Sequence, residues 1–204
     1  MNVVYAIIRS IFNLVTFGLI GMKVHGEEHL PKSGAFILIA NHASYFDPPL
    51  VGTAVRHRFI HFMAKEELFH NPIMNWFLRL MHTFPVHRGR IDSEAIKESF
   101  RVLRNGEVLG IFPEGTSKDQ GILGKFHDGF AGIAIKAGVP VVPAAIVHSR
   151  HLPKKTGPVE VIFHAPVMPP KVKLSDREAV KAFTEDMRSI VLQMLEDAQK
   201  GNRS

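Results

Sequence analysis

The stretch A-F-I-L-I-A-N-H-A-S-Y-F-D-P-P, residues 35 to 49, decides how this chain is built. It follows Pro31 and Gly34 and begins as an unbroken apolar run, the pattern of a strand buried on both faces. It ends on Asp47-Pro48-Pro49, where a proline pair suits the first turn of a helix and the aspartate suits its cap. Between strand and helix lie His42 and Asp47, five positions apart. On one helix they would point about 140° away from each other. They meet only if the backbone turns there, and strand–turn–helix is the unit of an α/β layered fold.

The rest of the chain continues that alternation. Residues 59–64, 83–86, 107–112 and 139–147 predict strands, the third cut short by Pro113. Residues 68–81 predict a helix rich in Leu, Phe, Ile and Met; the segment 68–84, with Trp76 and Phe77, reads as core rather than acyl groove, with part of it open to facing lipid. Residues 93–103 and 129–137 predict two more helices, the first closed by Asn105-Gly106. Residues 153–170 are proline-rich but enclose V-E-V-I-F-H, a strand expected at an edge of the same domain. Ser175-Asp176-Arg177-Glu178 reads as a capping box opening a terminal helix. Its Val180, Phe183, Met187, Val191 and Met194 or Leu195 mark one apolar face. No repeat, low-complexity run or linker divides the chain. The expected fold is a single-domain layered α/β sandwich with a mixed central sheet. It comprises residues 25–204, after an apolar membrane-associating segment, residues 1–24.

That leading segment is nearly all apolar from residue 3 to residue 22. As one helix it would span about 30 Å, the thickness of a bilayer core. Yet Asn2, Arg9, Asn13 and Thr16 recur at helical spacing and form a narrow polar stripe. Three placements fit: a buried core helix, a helix lying in the membrane interface with its stripe docked on the protein, and a true span. A span would bury Arg9 at a cost of up to a few kcal/mol. The expectation carried forward is peripheral or monotopic attachment to the cytoplasmic face of the cell membrane. No positive n-region precedes the run and no A-x-A-like site follows it, unlike a cleaved signal peptide.

Composition narrows the chemistry. The 204 residues, 46% apolar, suffice for one real core. A net charge of +6 favours anionic partners. Fifteen Phe against two Tyr and one Trp suit a greasy pocket better than a base-stacking platform, and no nucleic-acid signature is present. The absence of Cys excludes disulfides, thiolate metal sites and a cysteine acyl-enzyme. His57, His61, His70, His82 and His87 lack zinc-site spacing, so neither a metal nor a bound cofactor is expected.

His42 follows the carboxyl end of one predicted strand, and Glu114-Gly115 follows the end of another. Ligands of open α/β folds gather at such ends. An imidazole backed by a carboxylate is a general base at neutral pH. No G-x-S-x-G elbow exists, and Ser44 is only two positions from His42. The nucleophile is therefore expected to be a hydroxyl of the substrate, giving direct transfer. Plainer roles also fit: Asp47 as a helix cap, His42 as an ordinary hydrogen-bonded residue, Glu114 as a carboxylate that only holds its turn.

Four blocks in order carry a family resemblance. N-H-A-S-Y-F-D, residues 41–47, resembles the NH-x4-D signature of the glycerolipid acyltransferases. P-V-H-R-G-R (85–90), F-P-E-G-T (112–116) and V-P-V-V-P (139–143) resemble their second, third and fourth blocks. The likeness is to the bacterial lysophosphatidic acid acyltransferases. It implies that His42 takes the proton of the acceptor hydroxyl and that Asp47 orients His42. It also implies that Arg88 holds the acceptor phosphate, while Glu114, Gly115 and Thr116 shape the acceptor site. The implied acceptor is a lysophospholipid, and the implied donor is an acyl thioester of acyl-carrier protein or coenzyme A. Where relatives usually read E-G-T-R, Ser117 replaces the Arg and Lys118 follows, supplying charge without a bidentate fork. That departure leaves another acceptor headgroup open, and the alternative outside enzymes is a lipid-binding module that keeps the fold without the chemistry.

Overall fold

The structure, a computed structural model, describes residues 3–87, 89, 92–115, 123–152 and 158–201. Seven strands form one mixed sheet: β1 (Lys23–His25), β2 (Phe36–Ala40), β3 (Ile60–Lys65), β4 (Thr83–Val86), β5 (Val108–Ile111), β6 (Val141–Val147) and β7 (Glu160–Phe163). Their spatial order is β1-β7-β6-β2-β5-β3-β4. All neighbouring pairs are parallel except β6 with β7. Among the described residues six α-helices accompany them: α1 (Val3–Asn13), α2 (Asp47–Ala54), α3 (Pro72–Leu80), α4 (Ser93–Arg104), α5 (Gly129–Ala137) and α6 (Arg177–Gly201).

β2 is the central strand, and all five of its residues are buried. Its side chains alternate between two cores. Ile37 and Ile39 join Val102, Phe130, Met187 and Val191 from α4, α5 and α6. Phe36, Leu38 and Ala40 join Leu50, Val51 and Ala54 from α2. A strand covered on both faces needs no polar alternation, and so the apolar run was legible.

Several expectations need correction. The 3–22 segment is not one helix: α1 ends at Asn13 and a π-helical stretch, Leu14–Leu19, follows. Among the described residues no helix is long and apolar enough to cross a membrane. The helix expected over 68–81 is a 3-10 turn, Glu66–Phe69, followed by α3, which begins where Asn71 caps it. No residue of α3 is fully buried, and Ile73 is 78% and Trp76 57% exposed, so this helix is not core. It packs beside β4, the edge strand, and that contact covers only one flank. β7 is not an edge either, because the short β1 pairs outside it. Asp176, not Ser175, caps α6, accepting the Ala179 amide at 3.0 Å. The apolar face of α6 stands as expected, with Phe183, Met187, Val191 and Leu195 buried.

Candidate active site

β2 and β5 are parallel neighbours, so the turns leaving their carboxyl ends emerge side by side. Asn41 extends the sheet by one step: its side-chain amide donates to the Ile146 carbonyl at 3.0 Å and its oxygen accepts the Ile146 amide at 2.7 Å. This anchors the chain on β6 just before it turns. The next residue, His42, donates its backbone N–H to Glu114 Oε1 at 2.8 Å. The two polar turns thus converge on one place.

The helix start completes the pair. Asp47 is the first residue of α2, and its carboxylate folds back instead of capping the helix. Oδ2 lies 2.9 Å from His42 Nδ1 and accepts the amides of Ala43 at 2.7 Å and Ser44 at 2.8 Å. Asp47 is completely buried, and Oδ1 has no hydrogen-bond partner. A carboxylate only accepts, so the proton of the neutral ring sits on Nδ1. Nε2 is then the nitrogen left to receive another. The ring of His42 stacks on Phe112 at 4.4 Å, and Phe112 stacks on Phe62 at 5.6 Å. Gly110 makes room beneath: a Cβ there would stand 2.4 Å from the Phe62 ring. Ser44 is not aimed at the imidazole; its hydroxyl accepts the Phe46 amide.

Glu114 is buried, and both of its oxygens hold backbone: His42 N–H on Oε1, Gly124 N–H on Oε2 at 2.7 Å. It ties two turns together, the plainer of the roles open to it. Gly115 turns with a φ of 73°, a conformation open to glycine, and His127 lies against it. Arg88, Thr116, Ser117 and Lys118 lie outside the described residues. Next to Arg88, His87 has a carboxylate at each ring nitrogen: Asp92 Oδ2 at 2.9 Å from Nδ1, and Glu66 at Nε2. Asp92 also caps α4. The amide of His87 first, then that of Ala95 and the His87 ring, hold its carboxyl well below the usual range. Asn41, Phe112, Gly110 and Gly124 had no assigned part in the sequence reading. Asn41 and Phe112 stand inside two of the four blocks; Gly110 and Gly124 act through space and leave no periodic signal.

An open groove of about 500 Å³ between α4 and α5, lined in part by Lys97, Phe100, Arg104 and Lys136, does not border His42. No group of acidic, His or Cys side chains among the described residues could hold a metal. The arrangement at His42 is one that can serve as a general base: an imidazole whose Nδ1 is held by a buried carboxylate and whose Nε2 is left to take a proton.

Known proteins resemble the chain as a whole. A family model described as "Acyltransferase" matches residues 21–147. The 1-acyl-sn-glycerol-3-phosphate acyltransferase of Bacillus subtilis is 32% identical, with 85% of this chain and 88% of that protein covered. A lyso-ornithine lipid O-acyltransferase of Pseudomonas aeruginosa is 35% identical over 63% of this chain and 48% of its own length. The crystal structure of the 1-acyl-sn-glycerophosphate acyltransferase PlsC from Thermotoga maritima superposes with a TM-score of 0.74 at 29% identity. It covers 96% of this chain and 81% of that one.

Proposed function

We propose a reaction from one premise: the chain belongs to the acyltransferase family that includes the 1-acyl-sn-glycerol-3-phosphate acyltransferases. It moves a fatty acyl group from an acyl thioester, of acyl-carrier protein or coenzyme A, to the free hydroxyl of 1-acylglycerol 3-phosphate. The product is phosphatidic acid. One observation carries the reading: the 2.9 Å contact between His42 Nδ1 and the buried carboxylate of Asp47. His42 Nε2 takes the hydroxyl proton as the oxygen attacks the thioester carbonyl, and Asp47 stabilises the imidazolium. A carbon–oxygen bond forms and the carbon–sulfur bond breaks. The proton passes from His42 to the departing sulfur, which leaves as a thiol. Glu114, Gly115 and Thr116 shape the acceptor site, while Arg88 holds the phosphate and Lys118 adds positive charge beside it. The thioester is a co-substrate, and no bound cofactor enters the step.

The reading extends to location. Ile7, Ile11, Leu14 and Leu19 are exposed along α1 and the π-helical stretch, while Thr16 of the polar stripe is buried. α1 packs on α2, the helix that begins at Asp47, and Tyr45 in the intervening turn is 87% exposed. An apolar surface that adjoins the base suits a lipid acceptor delivered from the cytoplasmic face of the cell membrane, with residues 1–24 attached there and residues 25–204 catalytic.

A second reading keeps the chemistry and changes the headgroup. Ser117 stands where the family's third block usually has Arg, and one relative is named for a lyso-ornithine lipid. Purified protein is mixed with palmitoyl-acyl-carrier protein or palmitoyl-coenzyme A and either labelled lysophosphatidic acid or labelled lyso-ornithine lipid, and the lipids are resolved by thin-layer chromatography. Phosphatidic acid supports the first reading. Product from lyso-ornithine lipid alone supports the second, and no product from either overturns both.

A further inference from the structure

Gly124 is held from two sides. Its N–H donates to Glu114 Oε2 at 2.7 Å, and its carbonyl accepts Arg188 Nε at 2.9 Å. Glu114 passes the constraint on, because its other oxygen takes the His42 N–H at 2.8 Å. There is no slack at the glycine: a Cβ on Gly124 would stand 2.6 Å from Glu114 Oε2. Arg188 stands on α6, whose neighbouring Met187 and Val191 are sunk in the core, so its guanidinium is presented from a rigid element. The family match ends at residue 147, so Arg188 lies outside it.

We propose that Arg188 is a positioning residue for His42, acting through Gly124 and Glu114. The inference rests on the reading of His42 as the base of acyl transfer. A guanidinium is permanently charged, and its hydrogen bond to a carbonyl is charge-assisted. It pins the glycine from its carbonyl side while Glu114 holds it by the N–H, so the residue is fixed at both of its peptide units. Glu185, its acidic neighbour on α6, is 3.9 Å away and half exposed, a weak competitor for the guanidinium. Removing Arg188 leaves Glu114 with a loosened Gly124, and the turn that carries His42 loosens with it.

Four variants test this: Arg188→Ala, Arg188→Lys, Glu114→Gln and the double variant Arg188→Ala/Glu114→Gln, assayed with lysophosphatidic acid and palmitoyl-coenzyme A. Arg188→Ala lowers kcat about tenfold while the acceptor KM stays within about twofold, because the residue acts through backbone rather than on the acceptor. Arg188→Lys, which still donates to a carbonyl, recovers most of the rate. In the Glu114→Gln background, removing Arg188 adds little, since both belong to one chain of contacts. An unchanged kcat in Arg188→Ala, or losses that add fully in the double variant, overturns the proposal. Hydrogen exchange gives an answer that does not depend on turnover: the amides of Gly124 and His42 exchange faster in Arg188→Ala, and unchanged protection contradicts the proposal. A wild-type protein that turns over neither acceptor counts against the acyl-transfer reading, and exchange then decides the linkage by itself.

Discussion

At the scale of residues, the site is organised by one oxygen. Asp47 Oδ2 receives the His42 ring and the amides of Ala43 and Ser44. A fully buried carboxylate is costly unless its charge is answered. Here three N–H groups and the amino terminus of α2 answer it. Asp47→Asn keeps an oxygen for the two amides but removes the charge that stabilises an imidazolium. We expect acyl transfer to fall about 10³-fold with the melting temperature little changed. Wild-type turnover in that variant would mean that Asp47 is only structural. Gly110→Ala tests the ring stack below His42. The added methyl meets Phe62, so unfolding in denaturant should show a loss of about 1–3 kcal/mol and turnover should slow. An unchanged midpoint would show that the rings have room.

At the scale of elements, legibility followed burial. β2, β6, α4 and α6 were readable because packing repeats along them with a period of two or of about 3.6. β1 was not, because a three-residue strand carries no period. α3 misled for another reason: its amphipathic pattern is real, but its apolar flank faces outward. In α1 and the π-helical stretch the exposed apolar side chains invite a direct test. Ile11→Asp with Leu14→Asp changes only exposed positions, so the fold should hold. Sedimentation with phospholipid vesicles should fall more than tenfold, since each buried aliphatic side chain is worth about 1.5–3 kcal/mol. Undiminished binding would move the membrane contact elsewhere, with the exposed Ile73 and Trp76 of α3 as the next surface to alter.

At the scale of the whole molecule, the two ends of the sheet do different work. The carboxyl ends of β2 and β5 hold His42 and Glu114. The amino ends of β3, β4 and β5 gather His61, His82 and Glu107, with the two imidazoles 5.0 Å apart and His61 Nε2 3.3 Å from Glu107. Burial pushes both histidines below their ordinary value of 6.5, and for His61 the Glu107 carboxylate opposes that only in part. The unfolded chain therefore takes up protons near pH 6.5 more readily than the folded one, and stability present above that pH is lost as the pH falls below it. The melting temperature should drop between pH 7 and about 5.5, and less so in His61→Gln; an equal drop would place the effect elsewhere. The sequence singled out His42 and Glu114 because each follows a predicted strand, and Asp47 because of its spacing to His42; the structure brings the three together. It could not disclose Arg188, which reaches Gly124 across 64 positions of chain. The central claim is that His42 takes the acceptor's proton in a direct transfer. The most direct measurement is the turnover of His42→Ala, shown to be folded by its circular dichroism, with lysophosphatidic acid and palmitoyl-coenzyme A. The account predicts phosphatidic acid from the unmutated protein and a loss of at least about 10³-fold in the variant. Phosphatidic acid formed at the wild-type rate by folded His42→Ala would contradict it.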